Sequence, residues 1–174
     1  GNLNSTQIQV KYMSNKLESS INNPTKTNYI FKGWYNSSSG NTLVIDINGN
    51  LMSNAFNGSI RFTDPDGNWI GANNTYLYAQ WEPKTFKITY KDQGDKEFSG
   101  THAAHYPTTH TYGIETTLKS ATKLGYTFDG WYTDQACSDD KKFNFDTPIT
   151  EDITLYAKWT AKTYTITFKA GTGT

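Results

Sequence analysis

Short runs of alternating hydrophobic and polar residues dominate this chain. In residues 6–12 (TQIQVKY), Ile8, Val10 and Tyr12 share one side and Gln7, Gln9 and Lys11 the other, the period of a half-buried strand. Residues 85–90 (TFKITY) repeat the pattern with Phe86, Ile88 and Tyr90 inward. Residues 125–132 (GYTFDGWY) set Tyr126, Phe128 and Tyr132 against Thr127, Asp129 and Trp131. Gly130 stands there at a point suited to a close backbone approach or a bulge. Turn signals separate the runs. Asn48-Gly49, two positions that tolerate positive φ, predicts a hairpin joining residues 42–47 (TLVIDI) to 50–52. Asp64-Pro65-Asp66-Gly67 is a second turn. Residues 36–41 and 91–109 are polar loops, with a short strand at Thr109–Tyr112. Residues 14–27 and 111–124 carry no useful helical period and read as irregular crossing segments with at most one helical turn.

The pattern occurs twice. Residues 28–35 (NYIFKGWY) match 125–132 at an offset of 97 (131 − 34), pairing Tyr29, Phe31, Gly33, Trp34 and Tyr35 with Tyr126, Phe128, Gly130, Trp131 and Tyr132. Residues 75–81 (TYLYAQW) match 153–159 (ITLYAKW) at an offset of 78 (159 − 81). The difference, 97 − 78 = 19, is the extra length between these two strands in the first repeat. The Asn-Gly hairpin lies in that span, so an insertion is placed near residues 42–70. Residues 162–169 (KTYTITFK) match 84–91 (KTFKITYK) at the same 78. Self-similarity of this kind marks a repeat array. The expected organisation is a first module at 1–83, a second at 84–160, and the opening strand of a third at 161–174. The first repeat has no counterpart of residues 85–90, whereas the far end carries a spare strand, Tyr164–Phe168. Thr163–Lys169 is therefore expected to pair with Gln7–Tyr12, most simply in a neighbouring copy, giving head-to-tail self-association.

Composition narrows the class. The 174 residues carry 16 basic and 16 acidic side chains, so no net field draws the chain to nucleic acid or an acidic membrane. Aromatics reach 15% and mean hydropathy is −0.70. Large flat residues among many Thr, Ser and Asn suit small β-domains better than a helical bundle. Cys137 is the one cysteine, so no intrachain disulfide forms. No apolar run is long enough to cross a membrane as a helix. Gly1 reads as a cut end from which a targeting segment has been removed.

The block from Thr122 to Trp159 resembles the Listeria–Bacteroides repeat, the internalin-type B repeat. The residues that carry the resemblance are Gly125, Tyr126, Phe128, Gly130, Trp131, Tyr132, Leu155, Tyr156, Ala157 and Trp159. In the first repeat they are Tyr29, Phe31, Gly33, Trp34, Tyr35, Leu77, Tyr78, Ala79 and Trp81, with Asn28 in place of the usual Gly. The resemblance implies a mainly β, ubiquitin-like β-grasp module, in tandem on secreted or wall-attached bacterial surface proteins. It implies a spacer or adhesion role toward a host or cell-surface protein or glycan, without catalysis or cofactor.

Candidate chemistry adds little to this. His102, His105 and His110 share one polar stretch but lack the further ligands of a closed metal site. Asp46-Ile47-Asn48-Gly49-Asn50 and Asp64-Pro65-Asp66-Gly67-Asn68 suggest half a calcium loop, without the glycine position or the closing Glu of an EF-hand. Cys137 lies among Asp134, Asp139, Asp140 and the more distant Asp146, neighbours that raise a thiol's pKa and so disfavour a nucleophile. No nucleophile elbow, P-loop or dinucleotide fingerprint is present. Trp34, Trp81, Trp131 and Trp159 recur with the motif and are expected in the core. Trp69 lies outside the repeat pattern. With Tyr76 and Tyr35 it either forms an exposed aromatic platform, making the chain a carbohydrate-binding module, or caps the enlarged first repeat. Intramolecular Lys–Asn isopeptide bonds remain open; each would lower the intact mass by one ammonia.

Overall fold

The fold is known from a computed structural model that describes residues 7–144, 148–169 and 171. It is mainly β, with no α-helix among the described residues. Two compact units emerge, Gly1–Lys84 and Thr85–Thr174.

The first unit is built on β1 (Tyr29–Tyr35), which pairs antiparallel with β2 (Leu43–Ile45) on one side and β5 (Tyr78–Pro83) on the other. A small hairpin of β3 (Phe56–Asn57) and β4 (Ile60–Arg61) follows β2. The second unit contains β6 (Thr85–Asp92), β7 (Lys96–Glu97), β8 (Thr101–His102), β9 (Thr109–Thr111), β10 (Ala121–Thr122), β11 (Tyr126–Tyr132) and β12 (Ile153–Ala161). Its main sheet runs β11-β12-β6-β7, with β9 also on β6. The first strand and the last, β6 and β12, lie side by side and parallel (Ile88 opposite Ile153, Asp92 opposite Ala157). β8 and β10 form a separate pair.

Each signature strand carries a bulge where its glycine stands. The ladder steps from Phe31–Trp81 to Gly33–Gln80, and from Phe128–Trp159 to Gly130–Lys158, leaving one residue unpaired. Strict alternation would put Phe128 and Trp131 on opposite sides. One extra residue reverses the alternation, so both rings fall on one face. Phe31 meets Trp34 at 5.5 Å and 72°, and Phe128 meets Trp131 at 5.1 Å and 66°. Trp81 and Trp159 also pack on these phenylalanine rings, at 5.5 and 5.2 Å. The glycine is required because φ is +115° at Gly33 and +137° at Gly130. A Cβ on Gly33 would also lie 2.5 Å from Leu43 Cδ1 and 2.7 Å from Ile45 O. Strand entry repeats too. Asn28 and Gly125 both take positive φ, and their carbonyls accept from Lys84 N and Lys162 N, each at 2.9 Å.

Several expectations need correcting. Residues 7–12 make only an isolated bridge, Val10 to Leu17, and Tyr12 is exposed. The closing strand of the first unit begins at Tyr78, so residues 75–77 stay outside the ladder. The counterpart, β12, is ordered from Ile153 because β6 pairs with that stretch. Residues 163–169 form no strand and are exposed throughout. These three segments have strand sequences without a neighbouring strand, and an isolated strand has nothing to satisfy its backbone groups. The polar stretch 91–109 is more than loop, since β7 and β8 lie within it. The second crossing segment contains β10 and no helical turn among its residues. At the Asn48-Gly49 turn only Gly49 has positive φ. Asp46 does the rest. Its carboxylate accepts from Asn48 N at 2.9 Å and Asn50 N at 2.8 Å, an Asx turn.

Gly33→Ala is expected to cost the first unit about 1–3 kcal/mol, because the new methyl meets fixed backbone as well as a disfavoured φ. Gly130→Ala is expected to cost less, since its added carbon meets the flexible end of Lys142, at 2.6 Å from Cε. Hydrogen exchange resolved by unit would read both; equal losses would contradict the backbone-clash account.

Candidate functional site

The residues expected to form an aromatic platform do not share one. Trp69 is 8% exposed and belongs to the core of the first unit with Val44, Ile45, Ala55 and Phe62. Its ring stacks on Phe62 at 5.7 Å and 15°, and its Nε1 donates to Gly71 O at 3.1 Å. Met13 N donates to Trp69 O and Trp69 N to Ser14 O, both at 2.8 Å. Trp69 is therefore a cap and core residue of the enlarged module, with no ring face free for a sugar. Tyr35 is half-buried in β1 opposite Tyr78. Tyr76 is 83% exposed, on the stretch just before β5.

Two hairpins in this unit share one chemistry. Asp64 repeats the work of Asp46: its carboxylate accepts from Asp66 N at 2.9 Å, Asn68 N at 2.8 Å and Asn68 Nδ2 at 2.9 Å. The flanking bonds match as well, Met52 N to Val44 O at 2.9 Å and Ile70 N to Phe62 O at 2.8 Å. The pattern D-x-[ND]-G-N, present twice in the sequence, signals this without a metal. The Asn68 side chain, with backbone donors, holds the Asp64 carboxyl below the ordinary range. The loop 134–138 uses the same device: Ser138 N and Oγ donate to Asp134 at 3.0 and 2.7 Å. Cys137 takes positive φ there, as Gly40 does in the first unit. Burial, and then Asp134, pushes its thiol above the ordinary range, so it is not a thiolate at neutral pH. Asp146 lies outside the described residues.

The histidines are not a solvent-exposed set. His102 is half-buried between Phe98 and Tyr106, stacked at 4.1 and 3.7 Å. Tyr90 closes on it at 4.7 Å and donates its hydroxyl to Pro107 O at 2.7 Å. His110 shares a hydrogen bond with Thr116 Oγ1 at 2.9 Å, and His105 is exposed. Burial lowers the His102 pKa below its usual 6.5 and raises the Tyr90 phenol. Nothing in the alternation pattern pointed to this stack, because Phe98, His102 and Tyr106 stand four residues apart in a polar stretch with no strand period. No group of three metal-ligating side chains exists among the described residues. An open depression of about 550 Å³ beside β9 is lined by His110, Tyr112, Glu115 and Ile149.

The two units differ most at one edge. In the second, Phe86 and Ile88 of β6 join Trp131, Leu155 and Ala157 in the core. In the first, the counterparts Trp34, Leu77 and Ala79 are only half-buried. Trp131 Nε1 donates to Lys119 O at 2.9 Å. Trp34 Nε1 is buried and has no partner among the described residues, a cost on the order of 1–3 kcal/mol. Among the described residues of the first unit, no strand pairs with 75–77.

These repeated geometries define a class, a tandem array of small aromatic-centred β-modules. Residues 1–57 and 86–158 match the Listeria-Bacteroides repeat domain, and the chain belongs to that family. Among similar proteins are two from Evansella cellulosilytica. One bears the name of a Gly-rich membrane protein, is 28% identical over 151 residues, and is matched over 86% of this chain but 14% of its own length. Another bears the name of a membrane protein, is 27% identical over 151 residues, and is matched over 18% of its length. No solved structure matches the chain. No described helix is long and apolar enough to cross a membrane.

Trp69→Ala is expected to destabilise the first unit by about 3–5 kcal/mol, the usual cost of deleting a core Trp; a loss under about 1 kcal/mol on denaturant titration would return Trp69 to the surface. For His102, the folded pKa is below the unfolded one, so the unfolded chain binds the extra proton. The stability of the second unit is therefore fully present above pH 6.5 and falls as pH drops from there through the folded pKa. His102→Phe should keep the stack and flatten this acid limb in pH-dependent melts; an unchanged limb would exclude His102 as its source.

Proposed function

We propose that this chain is a non-catalytic segment of a bacterial cell-surface protein, serving as spacer and adhesion module without cofactor. The observation that carries this is the second use of one construction. The bulge, the pair of Phe–Trp ring contacts and the strand-entry bond recur with the same geometry in both units, which lengthens a protein by addition. The conspicuous polar and aromatic groups are spent on structure. The carboxylates of Asp46 and Asp64 tie hairpins, and Trp131 and Trp69 fill cores. The names of the Evansella relatives agree with a place at the cell envelope, and this chain covers only a small part of their length. The partner is a protein or glycan at a cell surface; the glycan-binding alternative loses its main residue with the burial of Trp69.

Each module is read as a β-grasp. In the second unit the first and last strands lie parallel and adjacent within the sheet, the arrangement expected of that fold. The usual crossing helix is replaced by the irregular residues 112–120.

Protease shaving of intact bacteria that make the parent protein should release peptides of this segment, and antibodies to it should label unpermeabilised cells. Labelling that appears only after lysis would overturn the surface assignment.

A further inference from the structure

Two Asn-Gly pairs occur in the chain, Asn48-Gly49 and Asn57-Gly58, and both stand at turns of the first unit. In an Asn-Gly pair the side-chain amide is open to attack by the next backbone nitrogen, because glycine has no Cβ to hold the two apart. The structure treats the pairs differently. Gly49 N is engaged, donating to Asp46 O at 3.1 Å. Asn48 N and Asn50 N donate to the Asp46 carboxylate at 2.9 and 2.8 Å, and Asp46 N donates to Asn50 O at 2.9 Å. Asn57-Gly58 has no such frame. Asn57 is exposed at the end of β3, Gly58 takes φ +60° in the turn to β4, and a Cβ on Gly58 would meet nothing within 4 Å. Neither the Asn57 side chain nor Gly58 N makes a hydrogen bond among the described residues. Asn36, followed by Ser37, is buried, and its side chain donates to Phe56 O at 2.7 Å and accepts from Thr42 N at 3.0 Å. The β3–β4 hairpin is held by the pairs Phe56–Arg61 and Asn57–Ile60. A two-stranded ribbon so short opens at little cost, which lets Asn57 turn its side chain onto Gly58 N.

We propose that Asn57-Gly58 is a self-modification site, at which the chain converts its own amide into a carboxylate. Gly58 N attacks Asn57 Cγ. The N–Cγ bond forms, the Cγ–Nδ2 bond breaks, and ammonia leaves with the proton that Gly58 N gives up. Water then opens the cyclic imide at either carbonyl. Opening at the side-chain carbonyl leaves aspartate. Opening at the main-chain carbonyl leaves isoaspartate, in which the backbone runs through Cβ and Cγ. Either product adds an anion to a chain whose 16 basic and 16 acidic side chains balance. Isoaspartate also adds one carbon to the path from β3 to β4, so the Asn57–Ile60 pair is lost. The bond at the base of the hairpin, Phe62 N to Ala55 O at 2.8 Å, lies below the altered residue and is kept. The change is thus confined to a tip that carries exposed Phe56, Ile60 and Arg61. It alters the surface of the first unit with age and leaves the core in place. The Asp46 turn, with the same two residues, resists the reaction because its backbone nitrogens are already bonded.

The test incubates the full chain at mildly alkaline pH, folded and in denaturant, and follows peptides spanning each pair by mass spectrometry. In the folded chain the Asn57 peptide should gain about one mass unit and split into two species, one of them a substrate for an isoaspartyl methyltransferase. Asn48 should convert at least about tenfold more slowly, because several hydrogen bonds must break before Gly49 N is free. In denaturant the two should convert at similar rates. Asp46→Ala should speed conversion at Asn48 and leave Asn57 unchanged. Asn57→Gln should remove the new species, since the longer side chain closes a ring poorly. Equal rates at both pairs in the folded chain, faster conversion at Asn48, or the same ratio with and without denaturant would overturn the proposal. None of these outcomes depends on where the parent protein resides or on what it binds.

Discussion

The structure depends on one extra residue in a ladder. The glycine bulge in each signature strand lets phenylalanine and tryptophan, three positions apart, face the same way. The closing strand then supplies the second tryptophan to that face. Large rings placed edge to face add to the stability given by their area alone. A side chain at Gly33 would strike the neighbouring strand, so the bulge, the Phe–Trp contacts and β2 hold together as one unit. In a chain with little aliphatic residue to spend, this is an economical core, and it explains why the same five letters are spelled twice.

The repeat itself was the most legible feature. In the paired stretches of the signature and closing strands, residues that match in sequence match in register, down to the Asn28 and Gly125 carbonyls that receive the next lysine N–H. Burial was less legible. Trp69 stands beside a polar turn in sequence, yet stacks on Phe62, because the hairpin it closes folds back over the first unit's core. His102 reads as a loop residue in sequence, yet it lies in β8 with Phe98 and Tyr106 stacked on its ring. Both contacts are made across turns between residues four to seven apart, a spacing that neither strand alternation nor the repeat records. The Asp46 and Asp64 turns lie between. Their pattern is visible, but the work falls to the aspartate side chain and a single left-handed glycine, not to two permissive residues.

Strand pattern also proved separable from strand formation. Residues 9–11, 75–77 and 163–169 alternate as well as any ordered strand here, yet remain outside the ladders. β12 shows the difference, since the stretch matching 75–77 is ordered where β6 lies against it. Propensity sets what a segment will do once a neighbour is present, and the neighbour decides whether it does so. The first unit, with its half-buried Trp34 and Leu77, has the same paired strands β1 and β5 and no such neighbour among its described residues.

The parallel contact of β6 with β12 has a mechanical consequence. These strands are the first and last of the second unit, so tension entering at Thr85 and leaving at Ala161 pulls them past one another along their length. The hydrogen bonds between them then bear load together, in shear, instead of parting singly as a peeled hairpin would. A pull along the module therefore meets several bonds at once, from Ile88 opposite Ile153 to Asp92 opposite Ala157.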